Sequence, residues 1–496
     1  MSNSDRLCRR PASRCRFSGR LGGLLLCVVA FLPLWSAGQR AASIDQAHTL
    51  CVAPFDGGPD AASLRASLIR RLEKEHRFQI VASPEAADAV IKGTGAIWIR
   101  GYVSTNARTP ENNREPVYAG YLSLEVTGAQ GQPLWSWLVT PGRLVWKDIV
   151  DDLADRAAAR LLAAAAPSAA TVSGPPAADR LARTDLHGAG ATFPGPLYQK
   201  WFEDFGDLHP GVHIRYDRVG SQAGTDELLA HRLDFAGADI APELLTSAPV
   251  LSLHRIPSVL GAVVVVYNLN GAVSDLHFTP EALAGIYLGK IRRWNDPEIR
   301  VSNRDVNLPD APIVVVHRSD GSGTSWVWSD YLSKVSAAWS AAVGRGATLP
   351  WPTGVGAAGN DGVADAVVKT PFSIGYVELA YAIQRQLSFA GIRNRAGEYI
   401  HADLDSLAAA VASTGSTGDV LPADITDPPG RNAYPIATFT WLLIPAKTAD
   451  PAKRAALHEL LRWILTSGQK ECSALGYLPL PHATAEAELR LLEQMP

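Results

Sequence analysis

The chain has 496 residues, of which 47% are hydrophobic and 19% charged, and its formal net charge is −3. At roughly 100–200 residues per domain, this length predicts two to four domains. The composition is ordinary for a globular protein and excludes wholesale disorder, a fibre and a coiled coil. The near balance of 46 basic and 49 acidic residues gives no basic excess, so nucleic acid is not an expected partner.

Residues 1–38 have the features of a secretory signal peptide. Six arginines and one acid, Asp5, precede the apolar run Leu21–Trp35, and the small residues Ser36 and Gly38 follow it. This pattern predicts cleavage after Gly38 and a periplasmic location. The run is too short to span a bilayer comfortably, and an uncleaved N-terminal anchor is the alternative.

Residues 43–166 are predicted to form a small α+β domain whose role the sequence does not indicate. A strand, a helix and a second strand come first, then antiparallel strands with a hairpin turn at 128–133, then a closing helix. Two cysteines, Cys51 and Cys472, remain after the signal peptide, too few for a disulfide framework or a cysteine metal site. A Pro/Ala-rich linker is predicted at 167–184.

Residues 185–486 alternate short β runs with helical segments, which is typical of an α/β fold. Three turns rich in glycine, serine and threonine precede helices in this part: 188–194 with Thr192, 219–221 with Ser221 as a predicted N-cap, and 317–324, which follows a strand. Each turn exposes backbone N–H groups at the positive end of a helix. One such turn is usually a plain helix cap, but three of them, one with an arginine, favour an oxyanion site.

Three charged residues refine this prediction. Arg318 can direct two donors of its planar guanidinium at a tetrahedral oxyanion, while Asp320 fixes the guanidinium on its other side. A surface ion pair between Arg318 and Asp320 is the alternative. Asp239 follows the short apolar run FAGA. A carboxylate repels an anion unless the anion carries a proton, so Asp239 predicts selection of phosphate over fully ionised sulfate. A turn-forming aspartate is the alternative there.

Eight segments of this part resemble segments of a known protein family. In chain order they are GAGATFPGPLYQKW, VGSQAGT, LDFAGAD, YLGKIRRWNDPEI, HRSDGSGTSWVWSDYL, GNDGVADAV, SIGYVELAYA and YPIATFTWLLI. They resemble segments of periplasmic phosphate-binding proteins, the solute receptors of ABC-type phosphate importers, over about Leu186 to Pro479. The resemblance implies an α/β periplasmic-binding-protein fold with two hinged lobes and the ligand in the cleft between them.

The resemblance also implies a function and a set of ligand contacts. The function is non-catalytic, high-affinity binding of inorganic phosphate for delivery to the membrane permease of an ABC importer, with no cofactor and no metal. The implied contacts are Thr192, the backbone of Phe193, Ser221, Asp239, Arg318, Ser322, Gly323 and Thr324, with Asp320 behind Arg318. The chain departs from the family at Gln222, Ala223 and Ala238, where Ser, Gly and Ser are usual. Residues 43–166 are loosely similar to small domains of bacterial envelope lipoproteins, which suggests an envelope partner.

Enzyme motifs are not matched. Phe193 stands at the third glycine position of a dinucleotide-binding motif, Ser221 and Ser322 lack the frame of a nucleophile elbow, and no lysine follows Gly323. A phosphatase-like hydrolase is one alternative function, because the same donors would stabilise phosphoryl transfer. An envelope scaffold or sensor with an inherited phosphate-binding domain is the other.

Overall fold

The computed structural model describes residues 43–104, 114–128, 131–141, 148–166, 181–240, 253–270, 275–415, 421–422 and 424–495, without the side chains of 99–104, 114–117 and 119. The predicted signal peptide and residues 167–180 of the predicted linker lie outside these residues. The last residue of the predicted linker, Thr184, is already the first residue of a strand.

The first region, residues 43–166, contains one sheet with two helices packed together. Its elements are β1 (Thr49–Val52), β2 (Asp56–Gly57), α1 (Ala61–Glu75), β3 (Gln79–Val81), β4 (Ala89–Ser104), β5 (Arg114–Gly128), β6 (Pro133–Val139) and α2 (Ile149–Ala164). The sheet order is β3-β1-β4-β5-β6, with β2 beside β4; β3, β1 and β4 are parallel, and β4, β5 and β6 are antiparallel. The order of elements is the one that the sequence predicts for an α+β unit.

The apolar spacing of this region explains its core. Leucines 64, 68 and 72 recur every four residues along α1 and are buried, while β5 buries every second residue at 122, 124 and 126. These side chains meet those of α2 in one apolar cluster, separate from the main core of the second region.

The second region has the alternating strands and helices predicted for an α/β protein. Its elements are β7 (Thr184–Gly190), α3 (Gly195–Leu208), β8 (Val212–Asp217), α4 (Ser221–Leu229), β9 (Phe235–Ala238), β10 (Leu253–Asn268), β11 (His277–Phe278), α5 (Pro280–Tyr287), α6 (Pro297–Arg300), β12 (Val314–Arg318), α7 (Gly323–Val335), α8 (Ala337–Ala342), β13 (Val355–Ala357), α9 (Gly359–Lys369), β14 (Ser373–Glu378), α10 (Leu379–Gln384), β15 (Ser388–Phe389), β16 (Gly391–Arg393), β17 (Tyr399–Ile400), α11 (Leu404–Ser413), β18 (Ala437–Pro445), α12 (Pro451–Leu465) and α13 (His482–Leu492).

The strand β10 divides this region into two lobes. Its first part, 253–262, is antiparallel to β18, and its second part, 263–268, is antiparallel to β14. Lobe 1 therefore contains the strand order β10-β18-β9-β7-β8, and lobe 2 contains β10-β14-β12-β13. A small sheet of β11, β16 and β17 accompanies lobe 2. The two-lobed α/β architecture predicted by the resemblance is confirmed.

Side-chain hydrogen bonds and an ion pair join the two regions. Ser123 Oγ donates to the Ala474 carbonyl at 2.8 Å, Ser136 Oγ donates to the Lys470 carbonyl, and the Ala474 amide donates back to Ser136 Oγ at 3.2 Å. Arg160 of α2 pairs with Asp405 of α11. Among the described residues, no helix combines the length and apolarity that crossing a bilayer requires.

Candidate anion-binding site

The first predicted turn lies where β7 ends against the neighbouring strand β9. Gly190 has φ 141° and stands so close to Gly237 that a Cβ would lie 2.2 Å from the Gly237 carbonyl oxygen. This turn directs Thr192 into the cleft between the lobes, where its Oγ1 accepts hydrogen bonds from the side chain of Asn360 (2.9 Å) and its backbone amide (3.3 Å). Thr192 of lobe 1 is therefore bonded to the start of α9 in lobe 2.

The second turn corrects the predicted role of Ser221 as a helix cap. The N-cap residue of α4 is Gly220, at φ 95°, and Ser221 is the first residue of the helix, with no side-chain cap. The Ser221 hydroxyl instead donates to Asp239 Oδ2 and accepts from the Asp239 amide, both at 3.3 Å. Its hydroxyl is engaged by the end of β9 and so is not available to cap its own helix.

In the third turn, Ser322 is the N-cap residue of α7. Ser322 Oγ accepts a hydrogen bond from the Ser325 amide at 3.1 Å, and the Ser322 carbonyl accepts one from Trp326. The amides of Gly323 and Thr324 precede that first intrahelical bond, so they are donors that the helix itself does not satisfy. A Cβ at Gly323 would lie 2.5 Å from Ser221 Oγ and 2.6 Å from Asp239 Oδ2. The absence of a side chain at Gly323 therefore lets the start of α7 approach lobe 1.

Arg318 ends β12 and is buried, 2% exposed, which excludes the alternative of a surface ion pair. Its Nε donates to Asp320 Oδ1 at 2.8 Å, its Nη2 donates to Asp320 Oδ2, and its Nη1 donates to Thr324 Oγ1 at 3.2 Å. Burial opposes ionisation of Asp320, but the hydrogen bonds and charge of Arg318 outweigh it and lower the pKa of Asp320 below its ordinary value. The predicted contact of Asp320 with Arg318 is thus present.

Asp239 lies at the end of β9 with 2% of its surface exposed. Thr440 Oγ1 of β18 donates to its Oδ1 at 2.9 Å. Burial raises the pKa of Asp239 to about 7, against the hydrogen bond from Thr440 and the positive charge of Arg318, which lower it. The carboxyl group is therefore poised between its protonated and ionised forms near neutral pH, which a solvated turn aspartate would not be.

Sequence reasoning gave no role to Asn360 and Thr440. Asn360 is fully buried, and its side chain donates to Thr192 Oγ1 and to Thr324 Oγ1 (3.2 Å), so it links the first and third turns. Both residues lie in segments that carry the family resemblance, and this was the one indication in the sequence that they could belong to the site. The Thr192–Asn360 contact joins residues that are 168 positions apart, and the Asp239–Thr440 contact joins residues that are 201 positions apart. No local sequence pattern reveals such a proximity.

Two chains of contacts connect six of the eight predicted contact residues: Thr192 through Asn360 to Thr324 and Arg318, and Ser221 through Asp239 to Gly323. Ser322 directly precedes Gly323, and Asp320 is bonded to Arg318. Phe193 directly follows Thr192, and its carbonyl accepts a hydrogen bond from the Tyr477 hydroxyl at 2.7 Å. The Gln222 amide also donates to the Gly321 carbonyl at 3.2 Å, so loops of the two lobes touch across the cleft. The cleft combines a buried arginine, small hydroxyls and the positive ends of α4 and α7, which suits it to an oxyanion.

Comparisons with known proteins show the family of this part of the chain. A family model described as a PBP superfamily domain matches residues 165–467. The phosphate-binding protein PstS of Xylella fastidiosa is 41% identical over 311 residues, which cover 62% of this chain and 84% of that protein. PstS of Pasteurella multocida is 39% identical over 300 residues, covering 60% and 86%. PstS of Methanocaldococcus jannaschii is 37% identical over 331 residues, covering 62% and 85%. The chain belongs to the PBP superfamily and, within it, to the family of phosphate-binding proteins.

Proposed function

We propose that this chain binds one inorganic phosphate ion between its lobes, in the periplasm, and delivers it to the membrane permease of an ABC-type importer. The observation that carries the proposal is the juxtaposition of Arg318, fixed by Asp320, with Asp239, whose carboxyl group has a pKa of about 7. One group attracts the negative charge of the ligand, and the other accepts its proton.

The donors of the cleft match the oxygens of phosphate. We propose that the guanidinium of Arg318, the amides of Gly323 and Thr324 and the hydroxyl of Thr192 supply charge-assisted hydrogen bonds to the ligand, which contribute about 1.5–3 kcal/mol each. The hydroxyl of Ser221, which donates to Asp239 here, would turn to the ligand when phosphate binds. A micromolar dissociation constant corresponds to about −8 kcal/mol. Several such bonds therefore suffice even after the cost of ordering the loops.

The strands between the lobes suit a receptor that opens and closes. The chain passes from lobe 1 to lobe 2 within β10 and returns to lobe 1 at β18. The Gln222–Gly321 hydrogen bond across the cleft joins the start of α4 to a loop, so opening the cleft would break it without breaking a strand pair. Hinged closure about such crossings is the usual way for a two-lobed receptor to bury its ligand.

Turnover of phosphate esters is not part of this function. The hydroxyl of Ser221 pairs with Asp239, Ser322 caps α7, and no described histidine bonds either serine as a general base. Residues 43–164 lie outside the matched segment, and their bonds to residues 470–474 hold them against the receptor.

The experiment is a calorimetric titration of phosphate-stripped protein with inorganic phosphate at neutral pH. We expect one ligand per chain, a micromolar or tighter dissociation constant and a rise in melting temperature. A parallel assay with a phosphomonoester should release no phosphate. Absence of both heat and thermal shift at millimolar phosphate contradicts binding, whereas hydrolysis abolished by Ser322→Ala would identify a phosphatase.

A further inference from the structure

A cluster of two histidines and an aspartate lies on the small sheet that accompanies lobe 2, apart from the residues of the phosphate site. Asp275 and His277 are two residues apart where the chain enters β11, and the apolar Leu276 between them is fully buried. Alternate residues of an extended chain lie on the same side, so the carboxylate and the imidazole share one face. His401 reaches that face from the position just after β17.

The middle strand of this sheet leaves room for both imidazoles. His277 stands opposite Gly391 in the pairing of β11 with β16. A Cβ at Gly391 would lie 2.7 Å from His277 Cδ2 and 3.0 Å from His401 Nε2. Because this position is a glycine, the two rings from the outer strands close over it, with their centroids 5.9 Å apart. The His277 ring is held by stacking on Tyr399, at 4.7 Å between ring centroids.

The donor atoms converge at distances suited to a metal ion. One ligand atom from each of the three residues lies within 4.8 Å of the other two. His401 Nε2 is 3.0 Å from Asp275 Oδ1, and His277 Nε2 is 4.0 Å from Asp275 Oδ2. Ligand bonds of about 2.0–2.2 Å put the ligands of a tetrahedral Zn²⁺ roughly 3.3 Å apart. Small side-chain rotations therefore bring all three donors to that spacing.

The surroundings also favour coordination. His401 Nε2 is shielded from solvent and contacts Asp275 Oδ1, another of the three donor atoms, at 3.0 Å. The three side chains are 23–34% exposed, which leaves access for an ion and a water. An Asp275–His401 ion pair is the ordinary alternative, but it involves only one of the two histidines.

We infer that Asp275, His277 and His401 form a binding site for a divalent transition-metal ion such as Zn²⁺, with water as the fourth ligand. Two neutral imidazoles and one carboxylate are a donor set that Zn²⁺ binds well, whereas Mg²⁺ and Ca²⁺ prefer oxygen ligands alone. The ion would join the outer strands β11 and β17 across β16 and so stabilise this edge of lobe 2.

The test is a calorimetric titration of the full chain with Zn²⁺ after chelator treatment, together with elemental analysis of the dialysed complex. We expect one saturable equivalent of Zn²⁺ and a raised melting temperature that EDTA reverses. His277→Ala and His401→Ala should each weaken Zn²⁺ binding at least tenfold. Loss of a residue that only hydrogen-bonds to a metal ligand already lowers metal affinity about 10–100-fold. Asp275→Asn, which keeps the shape of the side chain, should also weaken it.

The matched control is His482→Ala. His482 lies 3.6 Å from Glu486, one helical turn away, and so offers one imidazole and one carboxylate without a second histidine. This variant should bind Zn²⁺ as the wild type does. Phosphate affinity, measured on every variant, reports folding and should not change. No saturable equivalent in the wild type, or an equivalent that survives both His277→Ala and His401→Ala, would overturn the inference whatever the outcome for phosphate.

Discussion

Arg318 and Asp239 act on opposite properties of the proposed ligand. In the proposed function, the guanidinium would bind two oxygens of the negatively charged oxyanion, while the carboxyl group would distinguish oxyanions by whether they carry a proton. Both side chains are about 2% exposed, so neither interaction is weakened by bulk water. One substitution at Arg318 and one at Asp239 can therefore test the two interactions separately.

Arg318→Ala should weaken phosphate binding by roughly 2–5 kcal/mol, because the buried anion loses its forked partner. Arg318→Lys should recover only part of this loss, since an ammonium group cannot make two parallel hydrogen bonds. Calorimetric titration measures both. Arg232→Ala, which removes an exposed arginine paired with Glu227, is the control and should bind normally. Equal affinities of the Lys and Arg proteins would place Arg318 outside the ligand contacts.

Asp239→Asn should narrow the preference of the protein for phosphate over sulfate. At about pH 9, where Asp239 with its pKa of about 7 is ionised, carboxylate and sulfate meet with lone pairs only, so we expect a preference of at least ~100-fold, or ~2.8 kcal/mol. Near pH 7 this preference should be smaller, because the protonated carboxyl group can donate to sulfate. The amide of asparagine supplies a donor in place of this repulsion, while the other donors continue to bind phosphate. Competition titrations with the two anions measure the change. An unchanged preference in the variant contradicts direct contact of Asp239 with the ligand.

At the scale of elements, the start of α7 fits against lobe 1 only because residue 323 is a glycine. Gly323→Ala should lower phosphate affinity at least tenfold, since its methyl group would collide with Ser221 Oγ and Asp239 Oδ2 when the lobes close. Calorimetry and thermal unfolding together separate binding from stability.

The control for Gly323→Ala is Gly362→Ala, inside α9. A Cβ there meets its nearest atoms at an ordinary 3.6 Å, so alanine should bind phosphate normally and stabilise the helix by about 0.5–1 kcal/mol. Normal phosphate affinity of the Gly323→Ala protein contradicts the close approach of α7 to Asp239 in the bound state.

Elements were predicted from the sequence more reliably than the contacts between them. The strand, helix and strand that begin residues 43–166, the antiparallel strands that follow and the closing helix come from local patterns, and each is present as predicted. The role of Ser221 as a cap was wrong because a partner 18 residues away engages its hydroxyl. The eight ligand contacts came from a family resemblance, and Asn360 shows what residue patterns alone do not reveal: its partners are distant in the chain.

At the scale of the whole molecule, a buried carboxyl group lies where the two regions meet. Glu471 is 2% exposed and adjoins Lys470, whose carbonyl accepts the hydrogen bond from Ser136. Burial raises the pKa of Glu471 to about 9, against the positive charge of Lys200, while the negative charges of Asp204 and Glu125 raise it further. The folded protein therefore holds a proton at Glu471 that the unfolded chain releases above about pH 4.3.

This difference predicts a pH dependence of stability. The contribution of Glu471 is fully present below about pH 4.3 and is lost as the pH rises toward 9, because only the folded state retains the proton. Glu471→Gln removes the titration, so from pH 5 to pH 8 its free energy of unfolding should fall by about 3–4 kcal/mol less than that of the wild type. Denaturant titrations across this range measure it. The exposed Glu493→Gln is the control, and identical pH slopes for all three proteins contradict a protonated Glu471.

The position of β18 has a consequence for how the chain acquires its fold. This strand lies between β10 and β9, although 198 residues separate Ala238 from Ala437. The sheet of lobe 1 is therefore divided in two until residues 437–445 are available, and its assembly must wait for nearly the whole chain. Long-range pairing of this kind slows folding. Lobe 1 of a nascent chain therefore lacks its connecting strand after the sheet of residues 43–139 and the strands of lobe 2 have been synthesised.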